Sequence, residues 1–253
     1  MTGFAPLLMK ELKEQLRTFK LLALFVVLAL LGVGGMVALA FLPELLRLSG
    51  DAPGIVFPDL TAVDALASYD NSVVQLGLLT VVLMAMGSVA RERERKTALV
   101  ILSKPVSVAA YVLAKLTAYA GSIMLTVAVL GGVAFVYATT IFDGSLSGSG
   151  VLAMIGTEAL YLVFVAAVTI GASCLFRNQL PAAMVAFGVL ALLTITAPLP
   201  LIGQHLPGAV TGWGLALMSG QEIEPRWTAV IVTLVIAGTA LLFGIRRLRR
   251  AEV

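Results

Sequence analysis

Long apolar runs, separated by short charged or Pro/Gly-rich stretches, dominate the pattern of this chain. A helix needs about 20 apolar residues to cross roughly 30 Å of hydrocarbon. Six runs approach or exceed that length: 21–42, 72–90, 116–141, 151–176, 180–197 and 227–245. No window alternates polar and apolar positions as barrel strands do, so the runs predict six transmembrane helices. The first run is long and follows a charged segment without a small-residue cleavage site, which predicts an uncleaved anchor.

The stretch 180–220 holds forty-one residues without a carboxylate or amine, enough for two spans. Pro198, Pro200 and Pro207, with Gly203, Gly208, Gly212 and Gly214, interrupt it. Proline and glycine break helix continuity, so 201–220 reads as a re-entrant or outer-leaflet helical segment that returns to its own face. Ahead of the first span, Leu8, Leu12, Leu16 and Phe19 recur at helical spacing, with Lys10, Lys13, Glu14, Arg17 and Lys20 on the other faces. That pattern predicts an amphipathic interfacial helix over 1–20. An ordinary basic flank that only sets topology is the plainer alternative.

Composition agrees with a bilayer as solvent. Apolar residues make up 60% of the 253 and charged residues 12%, against about 25% charged in soluble domains. The net charge of +3 is no sign of nucleic-acid binding, because its distribution carries the information. With the N-terminus inside, 1–20, 91–115, 177–179 and 246–253 hold fifteen of the seventeen basic residues, leaving out only Arg47 and Arg226. The positive-inside rule then places both termini in the cytoplasm. A seventh span would put the Arg246, Arg247, Arg249 and Arg250 cluster on the wrong side. Eight of fourteen acids fall on the opposite face, five of them in 43–71, which reads as an acidic outer loop. One cysteine, Cys174, and one histidine, His205, exclude a disulfide framework and His–His or cysteine-cluster metal motifs.

The loop 91–115 carries the most information. Arg91-Glu92-Arg93-Glu94-Arg95-Lys96 is too charged for hydrocarbon, and Glu92 and Lys96 stand at i,i+4 in the favourable order. The second span is therefore expected to continue as a helix into the cytoplasm. Thr97-Ala98-Leu99-Val100-Ile101-Leu102 follows, too short to span, and Ser103-Lys104-Pro105 ends it. Such a segment either packs on the protein's own helices or docks in a groove of a partner, and the residues alone leave both open.

The sequence Glu92-Arg93-Glu94-x-Lys96-Thr97, then Ile101-Leu102-Ser103-x-Pro105-Val106-Ser107 and Tyr111-Val112-Leu113-x-Lys115, resembles the second-to-third-span loop of ABC-2 type transporter permeases. Lys10-Glu11-Leu12-x-Glu14-x-Leu16-Arg17 resembles that family's opening segment, and the likeness is greatest to the subgroup with the nitrous-oxide-reductase maturation permease. Ala98, Leu99 and Val108 depart from the family's common pattern. The resemblance implies a single permease domain over 1–253 in a prokaryotic plasma membrane, paired with a second permease copy as a homodimer or heterodimer. It implies cytoplasmic ABC ATPase subunits as the energy source, with Glu92, Glu94, Lys96, Thr97, Leu99, Ile101, Leu102 and Pro105 in a coupling helix. The chain lacks a G-x-x-x-x-G-K-[ST] phosphate loop, so no cofactor is expected on it and ATP is used by the partner.

Glu158 is the single charge expected well inside a span. It reads either as a substrate or proton contact in the pathway, or as a protonated or hydrogen-bonded structural carboxyl at the outer interface, paired with Tyr161 or Thr157. Intramembrane carboxylates cost on the order of 2.5–3.5 kcal/mol at the bilayer centre and face the bundle interior. The expected function is export as an ATP-driven permease rather than catalysis. The alternatives are a non-transporting anchor that recruits a cytoplasmic partner and an intramembrane enzyme, for which no dyad or metal-ligand set stands in the spans.

Overall fold

The computed structural model describes residues 3–49, 60–97, 106–221 and 223–252. Among them every regular element is a helix, apart from one isolated bridge between Thr61 and Asp143. Helix α1 (Phe4–Arg17) precedes the first span, which comprises α2 (Lys20–Leu28), a π-helical turn (Ala29–Val33) and α3 (Gly34–Ser49). Then come α4 (Ala62–Ala85), the short α5 (Ala90–Glu94), α6 (Val108–Ile141), α7 (Gly148–Ser173) and α8 (Gln179–Thr196). A 3-10 turn (Gly203–His205) leads to α9 (Gly208–Met218), and α10 (Trp227–Glu252) closes the chain.

Six of these helical stretches are long and apolar enough to cross a membrane, in agreement with the hydropathy pattern. The second begins ten residues before the apolar run 72–90 does. Thr61 and Asp64 form a reciprocal capping box, with the Asp64 backbone N–H bonded to the Thr61 hydroxyl oxygen and the Thr61 backbone N–H to the Asp64 carboxylate. That cap lets a helix start in polar sequence, so the acidic stretch 43–71 is helical at both of its ends.

Helix α7 is the centre of the bundle, packed by α4, α6, α8, α9 and α10. Glycine makes two of these approaches close. A Cβ on Gly171 would stand 2.7 Å from the Ala240 carbonyl oxygen, and one on Gly244 would stand 2.8 Å from that of Gly171, so α7 and α10 meet backbone to backbone. Small residues serve helix contacts in this way inside bilayers. Gly150 likewise abuts the backbone of Leu217 and Met218, and Gly214 abuts Met154 and Thr157. Helix α9 thus lies along the first half of α7. At 11 residues it is about 16 Å long, too short to span, and no seventh crossing arises. His205 Nδ1 pairs with the Thr228 hydroxyl at 2.8 Å, which ties this excursion to the start of α10.

The outside of the bundle is apolar. Leu30, Phe41, Met184, Leu192, Ile195, Leu234 and Phe243 are all exposed, a surface that water would penalise and lipid tails accept. Helix α1 follows the same logic. Its apolar stripe, Leu12 and Leu16 with Phe19 beyond, faces outward, while Leu7, Glu11 and Gln15 are buried against the protein. Phe19 takes a left-handed conformation (φ 56°), which ends α1 and turns the chain into α2.

Candidate functional site

At the end of the bundle where the basic residues gather, a network of ion pairs joins three segments distant in sequence. Lys115, on α6, is 1% exposed. Its ammonium lies 2.9 Å from Glu11 Oε1 on α1 and 3.0 Å from Glu92 Oε1 on α5. Lys10 reaches the same two carboxylates, at 2.9 and 2.7 Å, and Glu14 at 3.3 Å. The Tyr111 hydroxyl donates to Glu92 Oε2, and the Lys115 ammonium sits 5.0 Å from the Tyr111 ring centroid. Glu11, Glu14 and Glu92 converge closely enough to hold a cation, and the two lysine ammonium groups supply that charge.

The charge on Lys10 is secure. Burial works against it, but hydrogen bonds and charges from Glu92 and Glu11 more than offset that and hold Lys10 above the usual lysine range. A lysine raised on folding contributes fully below its ordinary value and loses that contribution only as pH climbs through the raised one. The contact therefore persists throughout the neutral range.

A second set of contacts fixes the elbow between α4 and α5. The second span does not run on unbroken, because residues 86–89 form a turn and leave backbone groups without helical partners. Ser173, fully buried at the end of α7, supplies them. Its hydroxyl oxygen accepts from the N–H groups of Val89 (3.1 Å) and Ala90 (2.9 Å) and donates to the Met86 carbonyl (2.7 Å). Arg93 donates to the carbonyls of Cys174 and Phe176, and Arg91 to the Gln179 side chain. The Tyr119 hydroxyl donates to the Met84 carbonyl at 2.7 Å. Replacing Ser173 by alanine leaves two buried N–H groups unpaired. Denaturant unfolding in detergent is expected to show a loss of about 2–6 kcal/mol, since each such group costs about 1–3 kcal/mol.

The residues singled out in the loop are thereby separated. Glu92 turns inward to Lys10, Lys115 and Tyr111, and does not make the expected i,i+4 pair with Lys96. Helix α5 ends at Glu94, and Lys96 adopts a left-handed conformation (φ 60°) that takes it off the helix. Glu94, Lys96 and Thr97 are exposed, and the Thr97 hydroxyl donates to the Glu92 carbonyl. Leu99, Ile101, Leu102 and Pro105 lie outside the described residues. Between α1 and the elbow runs a groove of about 670 Å³, lined by Lys10, Glu14, Lys20, Gly87, Arg91 and Arg95 among others.

Sequence reasoning noted Lys115 and Tyr111 without giving them a role, and missed Glu11, Ser173 and Asp70 as functional groups. Lys115 directly precedes the apolar run 116–141, and it stands seven residues into the helix Val108–Ile141, where a cation among apolar residues needs a counter-charge. Glu158, on α7, is fully enclosed, as expected for an interior carboxyl. Its neighbour is neither Thr157, whose hydroxyl donates to the Met154 carbonyl, nor Tyr161. It is the carboxyl of Asp70 on α4.

A polytopic helical bundle with an apolar outer surface, and a charged elbow stapled to its core at one end, defines a multi-pass membrane protein. Comparison with known proteins gives its kind. The family model for ABC-2 family transporter proteins matches residues 5–215, and the chain belongs to that family. It is also similar to the uncharacterized transmembrane protein YxlG of Bacillus subtilis (strain 168), 25% identical over 251 residues that cover 97% of each chain.

Proposed function

We propose that this chain is the membrane-spanning subunit of an ATP-driven exporter, energised by separate cytoplasmic ATPase subunits that dock on the loop after the second span. The observation that carries this reading is the Lys115 network. It ties the elbow carrying Glu94, Lys96 and Thr97 to the outward-facing helix α1 and to the third span at once. A push on the loop is passed to α5 through the short chain between them, then to α1 and α6 through Glu92, and to α7 through Ser173. In this reading the basic end faces the cytoplasm of a prokaryotic plasma membrane, and a second permease copy completes the pathway. The exposed charges Glu94, Arg95 and Lys96 would set the orientation of the docked partner, as rim charges do.

Tagged protein purified in mild detergent from its native cells tests this directly. Mass spectrometry of the retained proteins is expected to find an ABC ATPase bearing a G-x-x-x-x-G-K-[ST] loop. Retention of only partners without that loop would favour the anchor reading instead.

A further inference from the structure

Two carboxyls in the spans, Asp70 and Glu158, belong to no part of the elbow network, and their surroundings form a site of their own. They stand on different helices, about 12 Å along α4 and about 15 Å along α7 at 1.5 Å per residue. Asp70 is 5% exposed and Glu158 fully enclosed. The two side chains lie within hydrogen-bonding reach of one another. Neither oxygen of Glu158, nor Oδ1 of Asp70, receives a hydrogen bond from any other group. Tyr69, also fully buried, lies within electrostatic reach of both carboxyls, and its hydroxyl has no partner. Against the Tyr69 ring sits the π-helical turn of the first span, where a Cβ on Gly32 would stand 3.2 Å away. Such turns are frequent at functional sites.

Among the described residues no cation balances the pair. On α4 itself Asp64 is bound to Thr61. Among the described residues, the other titratable side chains on elements packed against α4 or α7 are few. They are Lys20 on α2, Glu44 on α3, Tyr111, Lys115, Tyr119 and Tyr137 on α6, Tyr161 on α7 and Arg246, Arg247, Arg249 and Arg250 on α10. None of these acts on Asp70 or Glu158. Two ionised carboxylates side by side repel, and each would leave an uncompensated charge in hydrocarbon. A carboxyl can donate to a carboxylate only when it carries a proton.

We propose that Asp70 and Glu158 hold one proton between them, forming a proton-binding site buried between the second and fourth spans. The shared proton supplies the donor that the pair lacks and leaves a single delocalised charge, with Tyr69 within electrostatic reach of it. Separation of α4 from α7 breaks this hydrogen bond, so movement between those helices is linked to uptake or release of the proton.

Infrared spectroscopy of the intact chain in lipid at neutral pH tests it. The expected spectrum has a protonated-carboxyl C=O band that shifts on carbon-13 labelling of Asp or Glu and is absent from the D70N/E158Q variant. A wild-type spectrum without the band, or a band unchanged in that variant, overturns the proposal. Should the variant fail to fold, labelling of the wild-type chain decides, and a band that moves with neither label overturns it.

Discussion

Replacing Lys115 by methionine is expected to cost about 3–5 kcal/mol of unfolding free energy, the usual loss when one partner of a buried ion pair is removed. Methionine keeps the unbranched apolar stem of lysine but deletes the ammonium shared by Glu11 and Glu92. Lys10 still reaches both carboxylates, yet it is partly exposed and is then the one ammonium left between Glu11 and Glu92. The loss should fall on one connection in particular, that between α1, α5 and α6. Denaturant unfolding in detergent measures it. The double variant K115M/E92Q should recover part of the loss, because residues that share a network are not additive. Strictly additive losses would show that Lys115 and Glu92 act independently.

The second large effect concerns the apolar loop. Changing Leu99, Ile101 and Leu102 together to aspartate should abolish recruitment of the ATPase and leave membrane insertion intact. Interfaces draw their affinity from a few apolar side chains buried in partner pockets, with polar groups around them. Three carboxylates at those positions would be desolvated without partners on docking, a cost of several kcal/mol for each buried charge. Insertion depends on the long apolar spans, which this change does not touch. Co-purification at wild-type yield from the L99D/I101D/L102D variant would show that the ATPase binds elsewhere.

The spans were legible because hydrocarbon imposes a length that hydropathy reports directly. The starts of α4 and α6 lie ten and eight residues before their apolar runs, in α4 because Asp64 and Asp70 interrupt the run that the helix continues through. The Thr61–Asp64 capping signal was present in the sequence and marks the true start. The elbow was harder. The spacing of Glu92 and Lys96 suggests a local pair, but whether a carboxylate meets a lysine four residues on or one 23 residues on depends on where the helix breaks. That break depends on Ser173, 84 residues beyond Val89, a long-range contact that local periodicity does not encode. The pairing of Glu158 with Asp70 was hidden for the same reason, because Asp70 was assigned to a loop.

The proposed coupling joins an ATPase to a membrane pathway. It is tested most directly by measuring ATP hydrolysis by the partner ATPase in liposomes, with and without this protein. The rate should rise when the wild-type chain is present and stay at the level of the ATPase alone with the L99D/I101D/L102D variant. A bound ATPase whose rate is the same with and without the wild-type chain would rule that coupling out and leave the protein as an anchor.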